Sequence, residues 1–347
     1  MNAVDNLIFD VSGMLYRTYH ALQAAGGRSG ARKSILEERD DVDEMPDISG
    51  MALHSALMSM NKSYKQFQPK RVVACFDTPG NWRKKYMESE LAISTLKYKG
   101  KRRLNQTPAQ QAAYFKFLEH INEFQELLTK MTGIIVLSAP LLEADDCIAG
   151  WTQLYPDEVN VVLTGDSDMY QLITANTHVC DYKTAELIEM DDPQYYVFEK
   201  CFRGDMQSDN VASAYPGIRA TRLKKAYTDP YELANILEEQ WFNPVACPKV
   251  PNPEDPDIET FAVIKVKEIL EENQMLIDLT KQPPAIRKLM IKVITTNRNA
   301  IKKFDFWKFS AFCTRNKLAE IVKNLPSFRP LLIGGHGIKQ TRLAAIE

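Results

Sequence analysis

The most informative residues of this chain are nine carboxylates that end strand-like hydrophobic runs or stand in short acidic motifs. In a parallel α/β sheet the carboxyl ends of the strands lie along one edge, where ligands bind. Carboxylates gathered at such an edge repel one another unless cations lie between them, and hard divalent cations prefer oxygen ligands. The pattern therefore predicts a metal-dependent enzyme, with Mg²⁺ as the expected ion. The nine residues are Asp10, Asp77, Glu143, Asp145, Asp146, Asp166, Asp168, Asp205 and Asp209.

Phosphodiester hydrolysis is the chemistry that this arrangement suits best. The reaction needs an activated water and a stabilised leaving oxyanion, and two metal ions about 3.5–4 Å apart supply both. Holding two dications takes several carboxylates, some of them acting through bound water. Each acid alone also has a structural interpretation, as a helix cap, a helix-dipole partner or a turn residue. Because five separate segments repeat the pattern, we favour the metal site.

A strongly basic segment follows the Asp77 strand, although the net charge of the chain is only −2. Between Trp82 and Arg103 there are eight cations and two acids. Cations neutralise phosphates and an interleaved tyrosine stacks on a base, so the segment predicts an arch that contacts nucleic acid beside the acids. The residues assigned to this arch are Arg83, Lys84, Lys97, Tyr98, Lys99, Lys101, Arg102 and Arg103.

A second basic patch lies between Phe202 and Ala226, where two short helices are expected to flank the Pro216-Gly217 turn. The N-terminus of a helix behind a glycine turn offers backbone N–H groups to a phosphate. The pattern predicts a second nucleic-acid contact. Its residues are Gly217, Arg219, Arg222, Lys224 and Lys225.

The order of the hydrophobic segments predicts an α/β fold. At 347 residues the chain is long enough for one large domain or two unequal ones. Runs rich in Val, Ile and Phe alternate with helical patterns in the first half, as in a parallel βαβ sheet. The predicted strands are Asn6–Val11, Arg71–Phe76, Gly133–Leu137, Val159–Leu163 and Thr177–Asp181. The predicted helices between them are Met51–Phe67, Ala109–Lys130 and Ala144–Leu154.

Beyond about Asp192 strand patterns largely disappear, and the proline-rich stretch Asn243–Pro256 predicts a break before a C-terminal helical part. We expect an α/β catalytic core over residues 1–192 that carries the arch at about 78–107. A DNA-binding region is expected at 193–245 and a helical region at 251–347. The stretch Gly26–Gly50 is typical of a flexible insertion, and its acidic part Glu37–Asp47 has no functional interpretation.

Composition argues against zinc, disulfide and membrane classes. The six cysteines are scattered without CxxC pairs and the five histidines form no ligand-like pair. Reduced core thiols in a cytosolic protein are therefore expected. No segment has the apolar length of a membrane span, and the N-terminus lacks a signal-peptide layout. We expect a cytoplasmic protein without a membrane partner.

Six motifs, taken in their order and spacing, resemble the flap endonuclease / 5′-3′ exonuclease family, and most closely its bacteriophage ribonuclease H branch. The resemblance spans roughly Leu7 to Ala226, with a weaker echo at Glu272–Leu279 of the phage proteins' C-terminal helical part. The motifs are Phe-Asp at Asp10, Phe-Asp at Asp77, Tyr-Lys-Gly-Lys-Arg at Tyr98–Arg102, Glu-Ala-Asp-Asp at Glu143–Asp146, Gly-Asp-Ser-Asp-Met-Tyr-Gln-Leu at Gly165–Leu172, and Gly-Asp with Asp-Asn-Val-Ala-Ser at Gly204–Ser213.

The resemblance implies a PIN-like (5′-nuclease) fold, which is a parallel twisted sheet flanked by helices. It adds a helical arch, a helix–three-turn–helix element at Asp205–Ala226 and a helical C-terminal part. One Mg²⁺ would be held by Asp10, Asp77 and Asp145 with Glu143 alongside, and the second by Asp166, Asp168 and Asp205 with Asp146 and Asp209 as extra acids. Tyr98, Lys99, Arg83 and Arg102 match arch residues, of which Tyr98 and Lys99 orient the substrate near the scissile phosphate.

The resemblance also implies the activity and the partners. The family cuts near the 5′ ends of strands at junctions in branched or nicked DNA and RNA/DNA duplexes, and removes RNA primers during replication. Two Mg²⁺ ions are expected, with Mn²⁺ as a substitute. We expect a monomer, located in the host cytoplasm if the protein comes from a phage. The C-terminal region is interpreted as structural support, with docking of a single-strand-binding protein or another replication factor as the alternative.

Two features depart from the family pattern. The family turn usually reads Gly-Ile-Gly, but here Arg219 follows Gly217-Ile218, so a monovalent-cation site at that turn is not expected. Asp205 and Asp209 stand four residues apart, where three is usual, so the position of Asp209 departs from the family spacing.

Three other functions fit parts of the pattern. The Asp10 segment faintly resembles haloacid-dehalogenase phosphatases, but those need an aspartate at the position of Ser12. A small PIN-type ribonuclease would share the sheet and the acids but lack the arch and the Asp205–Ala226 element. A catalytically silent, structure-specific DNA-binding module would be expected to lack ligands, whereas every expected carboxylate is present. Metal-dependent cleavage of a flap substrate distinguishes this last function from a nuclease.

Overall fold

A five-stranded parallel sheet forms the centre of the protein, in the order β3-β2-β1-β4-β5. The structure is a computed structural model that describes residues 3–28, 47–100, 107–241, 247–255, 257–300 and 303–335. The strands are β1 (Asn6–Asp10), β2 (Arg71–Cys75), β3 (Ile135–Leu137), β4 (Asn160–Thr164) and β5 (Thr177–Asp181). These are the five strands that the hydrophobic runs predict, with ends that differ by at most two residues.

The register of the sheet places the acidic segments side by side. Central β1 pairs with β2 and with β4, so that Asp10 lies opposite Cys75 and Phe9 lies opposite Leu163. All five residues of β1 are buried, which is typical of a parallel strand covered by helices on both faces. Because β1, β2 and β4 run in the same direction, the residues that follow them emerge at one edge.

Helices connect the strands of the sheet across both of its faces. They are α1 (Val11–Arg28), α2 (Ser49–Phe67), α3 (Trp82–Met87), α4 (Pro108–Met131), α5 (Ala144–Leu154) and a 3₁₀ helix (Ser167–Leu172). The three predicted helices of this half are confirmed as α2, α4 and α5. The start of α4 is set by a capping box, in which Thr107 and Gln110 bond each other's backbone N–H groups.

Beyond Asp192 the described chain is mostly helical, as expected. The helices are α6 (Pro193–Arg203), α7 (Ala220–Thr228), α8 (Pro230–Glu238), α9 (Val266–Ile277), α10 (Pro284–Arg298), α11 (Phe306–Arg315), α12 (Ala319–Lys323) and α13 (Leu325–Leu332). Two small antiparallel pairs also occur, and the pattern did not predict them. They join β6 (Gln240–Trp241) to β9 (Ile264–Lys265) and β7 (Lys249–Pro251) to β8 (Glu259–Phe261). Strands of two or three residues are too short to show a period of two.

The C-terminal helices complete both core layers of the sheet. Phe309, Phe312 and Phe328 belong to the core on the face covered by α1, α2 and α4. Residues of α9 and α10 belong to the core on the face covered by α5. The apolar area that these helices bury makes the region beyond Pro251 part of the same fold as the five-stranded sheet.

Three further expectations concern the whole described chain. All six cysteines are buried thiols, as predicted for the core. No described helix combines the length and apolar character that crossing a membrane requires. Most of the Glu37–Asp47 insertion lies outside the described residues.

Candidate functional site

Asp10 lies at the centre of the acidic edge, as the last residue of β1. It is 4% exposed, and it accepts hydrogen bonds from the Gly13 backbone N–H and the Thr164 hydroxyl, each at 2.8 Å. A Cβ on Gly13 would come within 2.2 Å of Asp10 Oδ2. The turn from β1 into α1 therefore needs glycine at this position, so that the backbone can close around the carboxylate.

Asp77 and Asp145 are brought to Asp10 by the turns after β2 and before α5. The Asp77 N–H donates to the Ser12 hydroxyl at 2.8 Å, and the Asp77 carboxylate accepts from the Ala144 N–H at 2.9 Å. These two bonds link the turns that follow β1 and β2 to the start of α5. Ser12, the residue that departs from the phosphatase pattern, thus serves to hold the Asp77 turn.

Burial and neighbouring carboxylates raise the pKa values of Asp10 and Asp145 at this edge. Burial, followed by the charges of Asp77 and Asp166, raises the pKa of Asp10 to about 6. Burial and the charges of Asp166, Asp10, Glu143 and Asp77 raise the pKa of Asp145 well above its usual value. Several acids therefore lie close together in a poorly solvated place, where each opposes the ionisation of the next. We refer to Asp10, Asp77 and Asp145, with the more exposed Asp166 at their margin, as the first acidic cluster.

Glu143 forms ion pairs with two cations of the basic arch. Its carboxylate accepts from the Lys99 ammonium at 2.6 Å and from the Arg83 guanidinium at 2.9 Å. Burial would raise the pKa of Glu143, but the charges of Lys99 and Arg83 outweigh it and lower the pKa to about 2. The Tyr98 hydroxyl lies 3.3 Å from Glu143 and 3.0 Å from Asp209. The described end of the arch is thus held directly on the acidic edge.

Arg83 and Asp146 form a buried ion pair behind Glu143. Arg83 is 2% exposed, and its two terminal nitrogens lie 3.1 Å and 2.9 Å from the Asp146 oxygens. Asp146 also accepts from the Trp82 indole N–H at 3.2 Å and from the Glu143 backbone N–H at 3.1 Å. In this conformation both residues orient Glu143. Their roles toward substrate and metal remain predictions.

A second acidic cluster, Asp168 and Asp205, is bridged by Lys200, a residue that the sequence analysis missed. The Lys200 ammonium forms an ion pair with Asp168 and lies 3.1 Å from Asp205. Burial raises the pKa of Asp168 and the charge of Lys200 lowers it, with a net rise. The pKa of Asp205 is lowered, because the Ser208 N–H and Lys200 outweigh the burial of its carboxylate. Lys200 lies on α6, five residues before Asp205. Its position on the helix that leads to Asp205 is the sequence feature that could have identified it.

Asp166 and Asp209 lie at the margins of the two clusters. Asp166 pairs with Arg17 of α1 at 3.3 Å, and both side chains are about half exposed. Asp209 accepts from Tyr98 and approaches the Lys99 ammonium at 3.9 Å, while its backbone carbonyl accepts from the Lys99 N–H at 2.8 Å. Asp209 therefore contacts the arch in this structure, and its role as a metal ligand remains a prediction.

Lys99 adopts a backbone conformation that a side-chain-bearing residue rarely takes, with φ of 54°. Conformations of this kind cost roughly 1–3 kcal/mol and persist where the surroundings enforce them, often at functional sites. At Lys99 the enforcing contacts are the Asp209 carbonyl and the Glu143 carboxylate.

The predicted nucleic-acid contacts fall into three groups. Lys84, Lys97, Gly217, Arg219, Lys224 and Lys225 are exposed. Of these, Lys225 also pairs with Glu232 at 2.8 Å, and Lys224 lies 3.9 Å from Asp192. Arg222 is less exposed and pairs with Glu232 at 2.8 Å and Glu239 at 2.5 Å. Lys101, Arg102 and Arg103 lie outside the described residues. The helices on either side of the Pro216-Gly217 turn are α6 and α7. Helix α6 ends before Asp205, whereas α7 carries Arg222, Lys224 and Lys225 and has Arg219 as its N-cap.

The first acidic cluster has the chemistry of a divalent-cation site. Its donors are carboxylate oxygens, which suit Mg²⁺, and their mutual repulsion is what a dication would relieve. Within the described ranges, no three His, Cys, Asp or Glu side chains converge closely enough to form a ready-made metal cage. The residues fit the ion in donor type and charge, but their side chains are farther apart than in a formed metal site.

A family model of the 5′-3′ exonuclease N-terminal resolvase-like domain matches residues 5–201. The D15 protein of bacteriophage T5, co-crystallised with metal ions, is 16% identical, with a TM-score of 0.55 over 84% of this chain and 98% of its own. A T5 5′-exonuclease with bound zinc is 17% identical, with a TM-score of 0.55 over 84% and 99%. The D15 flap endonuclease in complex with DNA and metal ions is 14% identical, with a TM-score of 0.54 over 85% and 100%. These matches confirm the predicted PIN-like α/β fold. Comparison with curated protein sequences gave no match.

Replacing Asp10 by Asn should stabilise the metal-free protein at neutral pH. The pKa of Asp10 is raised in the folded state from 3.8 to about 6, so the folded protein binds this proton more tightly than the unfolded chain. The Asp10 charge therefore lowers stability above about pH 6 and has no such effect below about pH 4. In EDTA at pH 7.5 we expect Asp10→Asn to raise the free energy of unfolding by about 1–3 kcal/mol, a gain that disappears towards pH 4 in denaturant titrations.

Asp5→Asn is the matched control for that experiment. Burial opposes the charge of Asp5, but the Lys70 ammonium at 2.6 Å and the Val159 N–H outweigh it and lower the pKa. The Asp5 charge therefore stabilises the folded protein, and Asp5→Asn should lose stability at pH 7.5. A loss for both variants would contradict the repulsion assigned to Asp10.

Replacing Lys200 by Met should increase the response of the protein to divalent metal. Without this cation, Asp168 and Asp205 repel each other, so the metal-free variant should unfold at a lower temperature in EDTA. Added Mg²⁺ should then raise its melting temperature by more than it raises that of the parent protein, because ligand binding to the folded state stabilises it. Lys130→Met, which removes an exposed ion pair with Glu126, is the control. Equal Mg²⁺ responses in the Lys200 variant and the parent would contradict this interpretation.

Proposed function

We propose, because the chain belongs to the 5′-3′ exonuclease family, that it is a Mg²⁺-dependent, structure-specific 5′ nuclease. It would hydrolyse phosphodiesters near the 5′ ends of DNA or RNA strands at duplex junctions. The observation that carries the proposal is the contact of the basic arch with the acidic edge, where the Lys99 ammonium lies 2.6 Å from Glu143. Cations beside mutually repelling carboxylates suit a reaction in which phosphate must approach metal ligands.

The two acidic clusters support a two-ion mechanism. When bound, two Mg²⁺ ions would supply an activated water and a stabilised leaving oxygen, and Mn²⁺ is expected to substitute. Asp10, Asp77 and Asp145 would hold one ion. Asp168 and Asp205 would hold the other together with Asp166, whose charge acts on both Asp10 and Asp168. The products would carry a 5′-phosphate and a 3′-hydroxyl.

The arch residues would act on the phosphate itself. The Lys99 ammonium, fixed by its backbone and by Glu143, would stabilise the charge that develops on the scissile phosphate. Tyr98 is buried and donates towards Asp209 and Glu143, so it would orient Lys99 and the adjoining nucleotide. Arg83, held behind Glu143 by Asp146, would contribute by keeping the Glu143 carboxylate in place.

The substrate would be held at a second place by α6, α7 and the segment between them. Arg219, Lys224 and Lys225 are exposed there, and contacts from such cations to phosphates make binding weaken steeply with salt. One of the T5 flap endonuclease structures is a complex with DNA, which supports branched or nicked DNA as the ligand class. RNA/DNA duplexes follow from the resemblance to the phage ribonuclease H branch.

The biological setting is a proposal from the resemblance alone. The protein would remove RNA primers during phage DNA replication, as a monomer in the host cytoplasm. A single-strand-binding protein or another replication factor is the proposed protein partner.

Cleavage of a 5′-labelled flap DNA and an RNA-primed duplex tests the proposed activity. We expect Mg²⁺-dependent release of short 5′ products, with no release in EDTA. Asp145→Asn should lower the single-turnover rate by about 100-fold or more, because a ligand in the most crowded part of the first acidic cluster is lost. Asp157→Asn, the same change at an exposed aspartate, should cleave at the parental rate.

The lengths of the 5′ products would separate exonucleolytic from flap cutting. Tight, salt-sensitive binding of both substrates without cleavage would contradict the nuclease and favour a catalytically silent DNA-binding module. Full Mg²⁺-dependent activity in Asp145→Asn would contradict the assignment of that ligand.

A further inference from the structure

A buried carboxylate outside the acidic edge holds the base of the arch. Glu272, on α9, is 3% exposed. One of its oxygens accepts from the Ile93 N–H at 2.7 Å, and the other accepts from the Ser94 N–H at 3.1 Å. The Tyr86 hydroxyl lies 3.1 Å from the first oxygen. We refer to residues 88–97, the irregular segment between α3 and Tyr98, as the arch base.

The chemistry of this contact requires a carboxylate. Glu272 has three donors around two acceptor oxygens, and burial raises its pKa while the Ile93, Ser94 and Tyr86 bonds lower it, with a net rise. A buried charge without hydrogen bonds is costly, whereas one that is fully bonded is tolerated. A glutamine could accept from only one of the two adjacent backbone N–H groups, because its own NH₂ group would face the other. A charged side chain at this buried position therefore serves to hold two consecutive amides of the arch base.

The segment held by Glu272 leads directly to the arch residues at the acidic edge. Ser94 precedes Tyr98 and Lys99 by four and five residues. Downstream, the Asn210 side chain donates to the Lys97 carbonyl at 3.0 Å, and the Asp209 carbonyl accepts from the Lys99 N–H at 2.8 Å. The chain from Ile93 to Lys99 is thus held at one end by α9 and at the other by the loop after α6.

The neighbouring residues of α9 hold the surrounding elements. Asn273 donates to the carbonyls of Cys201 and Ala212, both at 2.8 Å, and so ties α9 to the end of α6 and to the segment after Asp209. The Leu276 carbonyl accepts from Arg83 Nε at 2.8 Å. Consecutive helical residues point about 100° apart, so Glu272 and Asn273 reach two different neighbours. One helix therefore sets the arch base relative to α6, which carries Lys200.

We infer that Glu272 is a positioning residue for the nuclease reaction, which fixes the arch base and through it the placement of Lys99 on Glu143. This inference rests on the proposed function for its effect on the rate. Its structural part, that Glu272 immobilises residues 93–99, stands independently of any activity.

Glu272→Gln tests the inference, with Glu271→Gln as the matched control, since Glu271 is an exposed neighbour on the same helix. Amide hydrogen exchange should speed up at Ile93 and Ser94, and also at Lys99, whose N–H is bonded to Asp209. Single-turnover cleavage of the flap DNA in Mg²⁺ should slow by about 10- to 100-fold, the effect expected from misplacing a catalytic group by about 1 Å. The dissociation constant for duplex DNA, measured in Ca²⁺ to prevent turnover, should change by less than about threefold.

A split between rate and affinity distinguishes positioning from a general loss of structure. Tyr86→Phe removes one of the three donors to Glu272, together with the 3.2 Å contact of the same hydroxyl with the Leu91 carbonyl. It should shift exchange and rate in the same direction by a smaller amount, about threefold. It serves as the test if Glu272→Gln does not fold.

Three results would overturn the inference or separate it from the proposed function. Unchanged exchange at Ile93, Ser94 and Lys99 would refute the immobilisation. Faster exchange with an unchanged rate would refute the positioning role. If the parent protein does not cleave, the proposed function fails, and exchange at Lys99 in Glu272→Gln still decides whether Glu272 places the arch.

Discussion

The mutual repulsion of buried carboxylates at one edge of the sheet is the constraint on which the rest of the structure depends. Parallel pairing of β1 with β2 and β4 brings Asp10, Asp77 and Asp145 together in a poorly solvated place. Burial and the neighbouring charges raise the pKa of Asp10 to about 6. Like charges held close together in such surroundings oppose folding. Cations placed beside these carboxylates would relieve the repulsion, whether they come from the protein's own side chains or from solution.

The protein supplies some of that positive charge from three different elements. Arg83 of α3 pairs with Glu143 and Asp146, Lys99 of the arch pairs with Glu143, and Lys200 of α6 bridges Asp168 and Asp205. Each of these cations also fixes the element that carries it. The acidic edge therefore organises the arch and the α6–α7 element, so the same charges that suit divalent ions also place the groups that would receive phosphate.

The region beyond Pro251 belongs to this arrangement. Its helix α9 holds the arch base through Glu272 and the end of α6 through Asn273. Its later helices close the core on the opposite face of the sheet. The structural support expected of this region is therefore specific, since it reaches the two elements that carry Lys99 and Lys200.

The sheet and its acidic residues could be predicted from the sequence because both depend on local patterns. Hydrophobic runs that end in Asp10 or Asp77 show a strand and its functional end together. Lys200 and Glu272 could not be found in this way, since their roles depend on partners that only the folded chain brings near. Arg83 looked like a substrate contact because it stands in a basic run, but its burial against Asp146 depends on how α3 packs. The strands β6–β9 are too short to show the alternation of apolar and polar residues by which a strand is predicted.

Crystals soaked in Mn²⁺ and measured for anomalous scattering would test the central claim most directly, namely that divalent cations relieve the repulsion at the acidic edge. The account predicts anomalous density beside Asp10 and Asp145, and a second peak beside Asp168 and Asp205 with the Lys200 ammonium moved away from them. Absence of density at both clusters at saturating Mn²⁺, with Lys200 still bridging Asp168 and Asp205, would contradict it.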